Sequence, residues 1–205
     1  KAVRTAEGDL VLFYLNLDNS ETPRWKPQFV PTFARSEDDG ETWSAPQPLG
    51  DEPGRVYDAI VHGEEILVLQ FANDCSEDWR GTSPEHRYLL HASTDGGRTF
   101  EKRCVLPFET LGRGYGTLGV LPSGDLIAYL MNLKDDEFGP LEAYTSSDGG
   151  RTWSDPRTVE FAKAVRNPQL IEMDGTWFLH GRARGGHFVI YRSPDGLHWD
   201  DGLIL

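Results

Sequence analysis

The chain has 205 residues, of which 38% are hydrophobic and 11% aromatic, a composition that supports a packed core and argues against disorder. Its formal net charge of −13 disfavours nucleic acid and anionic membrane surfaces as partners, because both are negatively charged. No apolar run is long enough for a transmembrane helix. The two cysteines, Cys75 and Cys104, are too few for a disulfide framework.

A short segment recurs four times along the chain. It starts at residues 36, 93, 146 and 193, so the starts are 57, 53 and 47 residues apart. The first three copies follow the pattern S-x-D-x-G-x-T-W/F and the fourth is one residue shorter: SEDDGETW, STDGGRTF, SSDGGRTW and SPDGLHW. We call these segments the box turns. The spacing is typical of one four-stranded propeller blade.

A glycine turn between two apolar runs precedes each box turn. In chain order, Glu7-Gly8 is followed by LVLFYL, His62-Gly63 by ILVLQF, Ser123-Gly124 by LIAYLM, and Asp174-Gly175 by WFLH. Each repeat therefore predicts strand, glycine turn, strand, variable loop, strand, box turn and strand. We predict sixteen strands without a helix, in one all-β propeller region over residues 1–205 with blades at about 1–52, 53–108, 109–161 and 162–205.

The residue types of the box turns suit a tight connection between two strands. The aspartate carboxylate can accept hydrogen bonds from backbone N–H groups of its own turn, and the glycine permits a positive φ. The tryptophan or phenylalanine is expected to bury its ring under the turn. The sequence therefore indicates a structural role for these four aspartates: Asp38, Asp95, Asp148 and Asp195.

With these repeats, essentially the whole chain resembles the sialidase superfamily, whose Asp-box propellers are usually six-bladed. The resemblance implies a glycoside hydrolase that acts on a terminal, acidic sugar, and it favours an exported protein. The alternative is a glycan- or protein-binding propeller without turnover, because Asp-box propellers also occur in sorting receptors and assembly factors. Four blades of a larger ring would expose apolar faces, so further chain, pairing of copies or a four-bladed ring stay open.

Arginines recur where the innermost strand of a blade is predicted to start. In this architecture these strand starts point at the central axis, where ligands bind. Arginine suits a carboxylate because its planar fork donates two parallel hydrogen bonds. Pairing of these arginines with acidic residues of adjacent blades is an equally weighted alternative. The substrate-binding candidates are Arg55, Asp58, Arg113, Tyr115, Arg166 and Asn167.

The resemblance also implies roles for particular residues. FLHGRARGGHFVIYRSPDGLHW is similar to the family segment that carries a carboxylate-binding arginine, which makes Arg182 that residue and Arg184 the fallback. Asn167 stands where sialidases tend to have a glutamate base, and asparagine cannot take a proton at neutral pH. The family's tyrosine nucleophile and two further arginines are expected outside this chain.

The acid/base aspartate of sialidases lies in the first variable loop, where Asp18 is the nearest candidate. A solvated loop carboxylate is the alternative reading of Asp18. The sequence contains no spacing typical of zinc or calcium ligands, no phosphate-binding glycine loop and no G-x-S-x-G motif, so neither metal nor cofactor is expected.

Overall fold

The structure is a computed structural model that describes residues 1–16, 30–72, 87–107, 113–132 and 139–205. Within these residues lie sixteen strands and one short 3₁₀ turn, and no apolar helix of membrane-spanning length. The strands are β1 Ala2–Arg4, β2 Leu10–Asn16, β3 Val30–Ser36, β4 Gln47–Pro48, β5 Gly54–His62, β6 Glu65–Ala72, β7 Arg87–Ser93, β8 Glu101–Val105, β9 Arg113–Val120, β10 Leu126–Asn132, β11 Leu141–Ser146, β12 Arg157–Val159, β13 Arg166–Met173, β14 Thr176–Arg182, β15 Phe188–Ser193 and β16 Leu203–Ile204.

The strands form four antiparallel sheets, each built from four consecutive strands in chain order. Glycine turns connect the first two strands of each sheet, and box turns connect the last two, as the sequence predicts. The all-β, four-stranded propeller-blade architecture is therefore confirmed. The chain divides into two compact units, Lys1–Thr110 with the first two sheets and Leu111–Leu205 with the last two, and each is described by itself. That residues 1–205 form a single propeller region stays a prediction.

Each unit has a core between its two sheets. In the first unit, Phe13 and Phe33 of the first sheet pack with Ile66 and Val68 of the second. Phe100, the aromatic residue of the second box turn, contacts both phenylalanine rings edge-on, with centroids 5.4 Å from Phe13 and 4.8 Å from Phe33. A box aromatic residue thus holds its own sheet against the preceding one.

The second unit repeats this arrangement with Trp199 of the fourth box turn. Its indole N–H donates to the Tyr129 hydroxyl at 3.1 Å, and the Tyr129 hydroxyl donates to the Gly196 carbonyl at 2.6 Å. The core around them contains Leu179 and Tyr191 from the last sheet. Phe100 and Trp199 are both half-buried, and each packs against the core of its unit.

Trp43 of the first box turn departs from the predicted burial of the box aromatic ring. Its side chain is 41% exposed, although its indole N–H donates to the Gly40 carbonyl at 3.1 Å. No ring contact joins Trp43 to another aromatic residue of the described chain. The physical reason is that Phe100 and Trp199 each reach the core of a preceding sheet, whereas Trp43 lies at the edge of an open groove.

The last sheet also exposes apolar side chains on the face turned away from the core of its unit. Ile171 is 47% exposed, Met173 56% and Leu203 59%. Such a face is available for association. Self-association through open blade faces stays a prediction, since the structure contains one copy of the chain.

The box turns share one hydrogen-bond pattern. In the second box turn, the Ser93 hydroxyl accepts from the Gly97 amide at 2.9 Å and donates to Asp95 Oδ1 at 2.7 Å. Asp95 also accepts from the Thr99 amide at 3.0 Å and the Thr99 hydroxyl at 2.6 Å. Partial burial raises the pKa of Asp95, but these bonds outweigh it and lower the pKa to about 2. The carboxylate is fully used inside its own turn.

Replacing Asp95 by alanine should therefore destabilise the chain. The Thr99 and Arg98 amides would lose a charged acceptor, and we expect a loss of about 2–3 kcal/mol in the free energy of unfolding. Urea denaturation measures it. Glu101 is an exposed residue at the start of the next strand, and Glu101→Ala is the control. This variant should change the free energy of unfolding by close to zero. Equal stability of the two variants would contradict the structural role of the box aspartate.

A buried histidine packs against the segment between β4 and β5, which links the first sheet to the second. His91 on β7 is 3% exposed, and its Nε2 lies 2.7 Å from Gln70 Oε1. Gln70 in turn donates through Nε2 to the Glu52 carbonyl at 2.7 Å. His91 Nε2 therefore carries the proton, and the buried Nδ1 has no hydrogen-bond partner in the described chain. A Cβ at Gly50 would lie 3.1 Å from the imidazole, so the link packs directly on the ring.

This environment keeps His91 neutral. Burial lowers its pKa to about 4, because a proton on Nδ1 would be buried without an acceptor; the Glu52 carboxylate opposes this effect and Lys102 adds to it. An ordinary histidine in the unfolded chain titrates near 6.5. Between these two pH values the unfolded chain binds more protons than the folded chain, so stability falls as the pH drops.

We expect His91 to contribute a loss of about 3 kcal/mol in unfolding free energy as the pH falls from about 6.5 to about 4. Urea denaturation at a series of pH values measures this loss. His91→Gln removes the titrating group and should flatten the profile in that window. Parallel profiles for the two proteins would show that His91 does not titrate in this way.

Candidate functional site

The inner strand of each later sheet is irregular near its start. The pairing of β5 with β6 shifts at Tyr57, between Val56 and Asp58. The pairing of β9 with β10 shifts between Leu130 and Asn132, and that of β13 with β14 between Arg166 and Gln169. Bulges redirect side chains and are common beside functional sites. The three shifts fall at the strand ends where the sequence places its substrate-binding candidates.

In the second unit, the irregular start of β13 brings two arginines together. Arg166 and Arg182 are direct partners in the β13–β14 register. Directly opposed residues of an antiparallel pair have Cβ atoms about 5 Å apart, on one face of the sheet. We call this end of the last sheet the arginine end. Arg182 is exposed and forms no ion pair or side-chain hydrogen bond with any described residue.

Gly181 permits this close pairing. A Cβ at this position would lie 2.5 Å from the Arg166 carbonyl oxygen and 2.7 Å from a methyl group of Val165. Any larger residue would push β13 away from β14 at the arginine end. The glycine therefore fixes the separation of the two arginine-bearing strands.

Asn167 lies inside the bulge, between the arginine pair and the regular part of β13. Its φ is +57°, a left-handed conformation that few residues other than glycine and asparagine adopt. Its side-chain Oδ1 is buried and has no hydrogen-bond partner among the described residues. Left-handed residues and unsatisfied buried acceptors both concentrate at functional sites. The amide supplies hydrogen-bonding groups at the arginine end and no titrating group.

In the first unit, the start of β5 lies against β6. A Cβ at Gly54, whose φ is +144°, would lie 2.0 Å from the Phe71 carbonyl oxygen, so only glycine fits. The bulge leaves Tyr57 stacked on Phe71, with ring centroids 5.8 Å apart. The sequence alone does not predict this stacking, because it depends on the bulge.

Asp58 is buried, and its carboxylate is occupied within the protein. Its Oδ1 accepts from the Ala59 amide at 2.9 Å and lies 3.2 Å from Lys1 Nζ. Arg55, three residues earlier, is half-buried and pairs in register with Phe71. The Asp58 carboxylate is thus paired with the Lys1 side chain. A role for Asp58 or Arg55 in substrate binding stays a prediction.

The remaining candidates are dispersed. Tyr115 is half-buried and packs against the core of the second unit. Arg113 pairs through its backbone with Asn132, and Asp18 lies outside the described residues. Arg184 does not continue β14, as a regular strand would require, because the strand ends at Arg182 and residues Arg184–Gly186 form a 3₁₀ turn.

Glu172 lies at the opposite end of β13 from the arginine end. One of its carboxylate oxygens accepts a hydrogen bond from the Gly175 amide at 2.5 Å in the glycine turn. Glu172 is therefore too far along the strand to replace a base at position 167. Within the described residues, no three His, Cys, Asp or Glu side chains group as metal ligands.

The fold and the position of these residues define the class as a propeller of four-stranded blades. Solved structures of this class match the chain over nearly its full length. It aligns with the sialidase of Trypanosoma rangeli at a TM-score of 0.66 and 20% identity, covering 98% of this chain and 36% of that one. The NanB sialidase of Streptococcus pneumoniae gives a TM-score of 0.73 and 13% identity, with 100% and 51% coverage.

An α-L-arabinanase of Penicillium chrysogenum gives a TM-score of 0.65 and 14% identity, covering 97% of this chain and 62% of that one. The chain thus spans between about a third and two thirds of these three enzymes. No protein-family model and no curated protein sequence matches it. The similarity establishes a fold shared with propeller glycoside hydrolases of more than one substrate class.

The backbone at Asn167 suggests a direct test of strain at the arginine end. Asn167→Gly should leave the unfolding free energy unchanged or raise it by up to about 1 kcal/mol, because glycine adopts a positive φ without steric cost. Asn167→Val should lower it by more than about 1 kcal/mol, since a β-branched residue is strained there. Urea denaturation of the three proteins measures both. Equal stability for glycine and valine would mean that position 167 is not held in the left-handed conformation.

Proposed function

We propose that this chain is part of a sialidase-like glycoside hydrolase whose arginine end binds the carboxylate of a terminal acidic sugar. One observation carries the proposal: Arg182 is exposed, has no acidic partner in the described chain, and directly opposes Arg166. Among similar solved structures, the sialidases agree with this reading, and the arabinanase extends the comparison to a different sugar.

The electrostatics of the arginine end favour an anionic ligand. Two like charges directly opposed across a strand pair repel each other, and a bound anion relieves that repulsion. A guanidinium group offers a carboxylate two parallel, charge-assisted hydrogen bonds. Although the chain has a net charge of −13, Arg182 has no acidic partner among the described residues, so its guanidinium group can pair with an anionic ligand.

The remaining residues receive roles within this proposal. Within the second unit, Arg113 and Tyr115 are candidates for further ligand contacts, and Asn167 supplies hydrogen-bonding groups beside the bound sugar. Asp18 is the candidate general acid, which would protonate the leaving oxygen of the glycosidic bond. Hydrolysis with retention requires a second group on the other side of that bond.

A non-catalytic glycan-binding propeller is the second candidate. The observation that favours it is Asn167, because an amide at this position cannot act as a base. Both candidates require a sugar carboxylate at Arg182, and they differ only in turnover. Binding and hydrolysis must therefore be measured separately on the same protein.

The test uses 3′-sialyllactose for binding, measured by calorimetry, and a fluorogenic sialoside for hydrolysis. We expect Arg182→Ala to weaken binding of 3′-sialyllactose at least about tenfold, as expected for loss of a charge-assisted contact. The matched control is Arg192→Ala on β15. Arg192 is also exposed, and its Nε lies 3.2 Å from Asp200 Oδ2. This ion pair is not at the arginine end. Arg192→Ala should bind like the wild type.

The outcomes separate the two candidates. Binding with hydrolysis, both lost in Arg182→Ala, supports the enzyme. Binding without hydrolysis supports the binding propeller. Absence of binding by the folded wild type, or an equal loss in both arginine variants, would overturn the assignment of the arginine end.

A further inference from the structure

A groove in the first unit runs between the first and second box turns. It has a volume of about 370 Å³ and is lined by Phe33, Arg35, Trp43, Gln47, Gly97 and Arg98, among others. We call it the Trp43 groove. Its size lies within the range of about 300–1,000 Å³ typical of small-molecule sites. The proposed function does not use it.

The aromatic wall of the groove is both exposed and fixed. Trp43 is 41% exposed, and its indole N–H donates to the Gly40 carbonyl at 3.1 Å. The hydrogen bond anchors the ring to the backbone of the box turn. An open aromatic face whose orientation is already set can bind a flat apolar surface with little loss of side-chain entropy.

The other wall is fastened by a buried arginine. Arg35 is 9% exposed, and it pairs with Asp9 and with Glu37. Its Nε donates to the Gly96 carbonyl at 3.1 Å, which ties the second box turn to the third strand of the first sheet. The two walls of the groove are thereby held at a fixed separation.

Polar groups line the rim on either side of the indole. Arg98 is 52% exposed, and its Nη1 donates to the Asp95 carbonyl at 2.7 Å, which positions the guanidinium group. The Glu37 carboxylate is 70% exposed, and Gln47 is an exposed residue of β4. The groove thus combines one apolar face with several donors and acceptors at its edge.

This combination suits a pyranose ring, which presents C–H groups on its faces and hydroxyl groups around its edge. We infer that the Trp43 groove is a second carbohydrate-binding site, in which a pyranose stacks on the indole and directs hydroxyl groups towards Arg98, Glu37 and Gln47.

The site is separate from the one proposed above. In the last sheet, Trp177 pairs with Ser193 of the box turn, and Arg182 lies five residues further along the same strand. Box turns and arginine end thus lie at opposite ends of a sheet, roughly 17 Å apart at about 3.3 Å per residue. The groove lies at the box-turn end of the first unit, and its binding does not depend on the proposed function.

The experiment follows the six tryptophan indole N–H signals of the ¹⁵N-labelled protein by NMR. Lactose, cellobiose and chitobiose are added in turn, and sorbitol serves as an open-chain polyol without a ring. We expect at least one disaccharide to shift the Trp43 signal, assigned with Trp43→Phe, and sorbitol to leave it unmoved. Arg182→Ala should show the same shift, because the arginine end is not involved.

Two variants test the walls by saturation transfer to the disaccharide that binds. Trp43→Ala should weaken its affinity at least about tenfold, as truncation of a central tryptophan commonly does. Arg98→Ala should weaken it as well. The matched control is Arg151→Ala in the third box turn, where Nη1 makes the same bond to the Asp148 carbonyl at 2.7 Å. Arg151→Ala should bind like the wild type.

Three results would overturn the inference. The first is that no disaccharide moves the Trp43 signal. The second is an equal shift with sorbitol. The third is that Trp43→Ala leaves the affinity unchanged while altering the elution volume in size-exclusion chromatography, which would assign the exposed indole to contact between copies of the chain.

Discussion

The carboxylate of each box turn is the constraint on which the rest of the structure depends. It accepts hydrogen bonds from amide and side-chain groups within eight residues, and this fixes the hairpin between the third and fourth strands of its sheet. The same turn sets the position of the aromatic residue that ends it. Phe100 and Trp199 reach the preceding sheet only because the turn holds them there. Local hydrogen bonding thus decides how neighbouring sheets pack.

The two ends of a sheet consequently differ in how their polar and charged groups are paired. At one end, the polar groups of the short box turns form hydrogen bonds within their own turn. Hydrogen bonds from Thr42 and Ser36 lower the pKa of Asp38, so this carboxylate is already used inside the turn. At the other end, bulges interrupt the strand pairing. Arg166 and Arg182 oppose each other there, and the Arg182 side chain has no hydrogen-bond or ion-pair partner among the described residues. A rigid scaffold with irregular, charged strand ends is a common arrangement for a binding site.

The strands and turns could be predicted because they depend on short-range patterns, namely a glycine turn and a box turn recurring in each repeat. Arg166 and Arg182 could each be named, yet their direct pairing could not, because it depends on a register set by the bulge and by the close approach at Gly181. The sequence indicates Asp58 as a ligand contact but does not predict its ion pair with Lys1, which comes from packing between the first and second sheets. The sequence does not predict the exposure of Trp43 either. Three box turns carry tryptophan, and the motif does not determine which residues pack against each ring.

The pairing order of the strands has a consequence for how the chain acquires its structure. Each sheet pairs only consecutive strands, so its backbone hydrogen bonds join segments close together in sequence. Closing such short loops costs little chain entropy and is fast, whereas packing one sheet on the next must wait until both exist. During synthesis each blade can therefore form as soon as its fourth strand has emerged. In the second and fourth blades, the aromatic residue of the box turn, Phe100 or Trp199, then packs onto a preceding sheet that is already folded, so that assembly within each unit proceeds in the direction of translation.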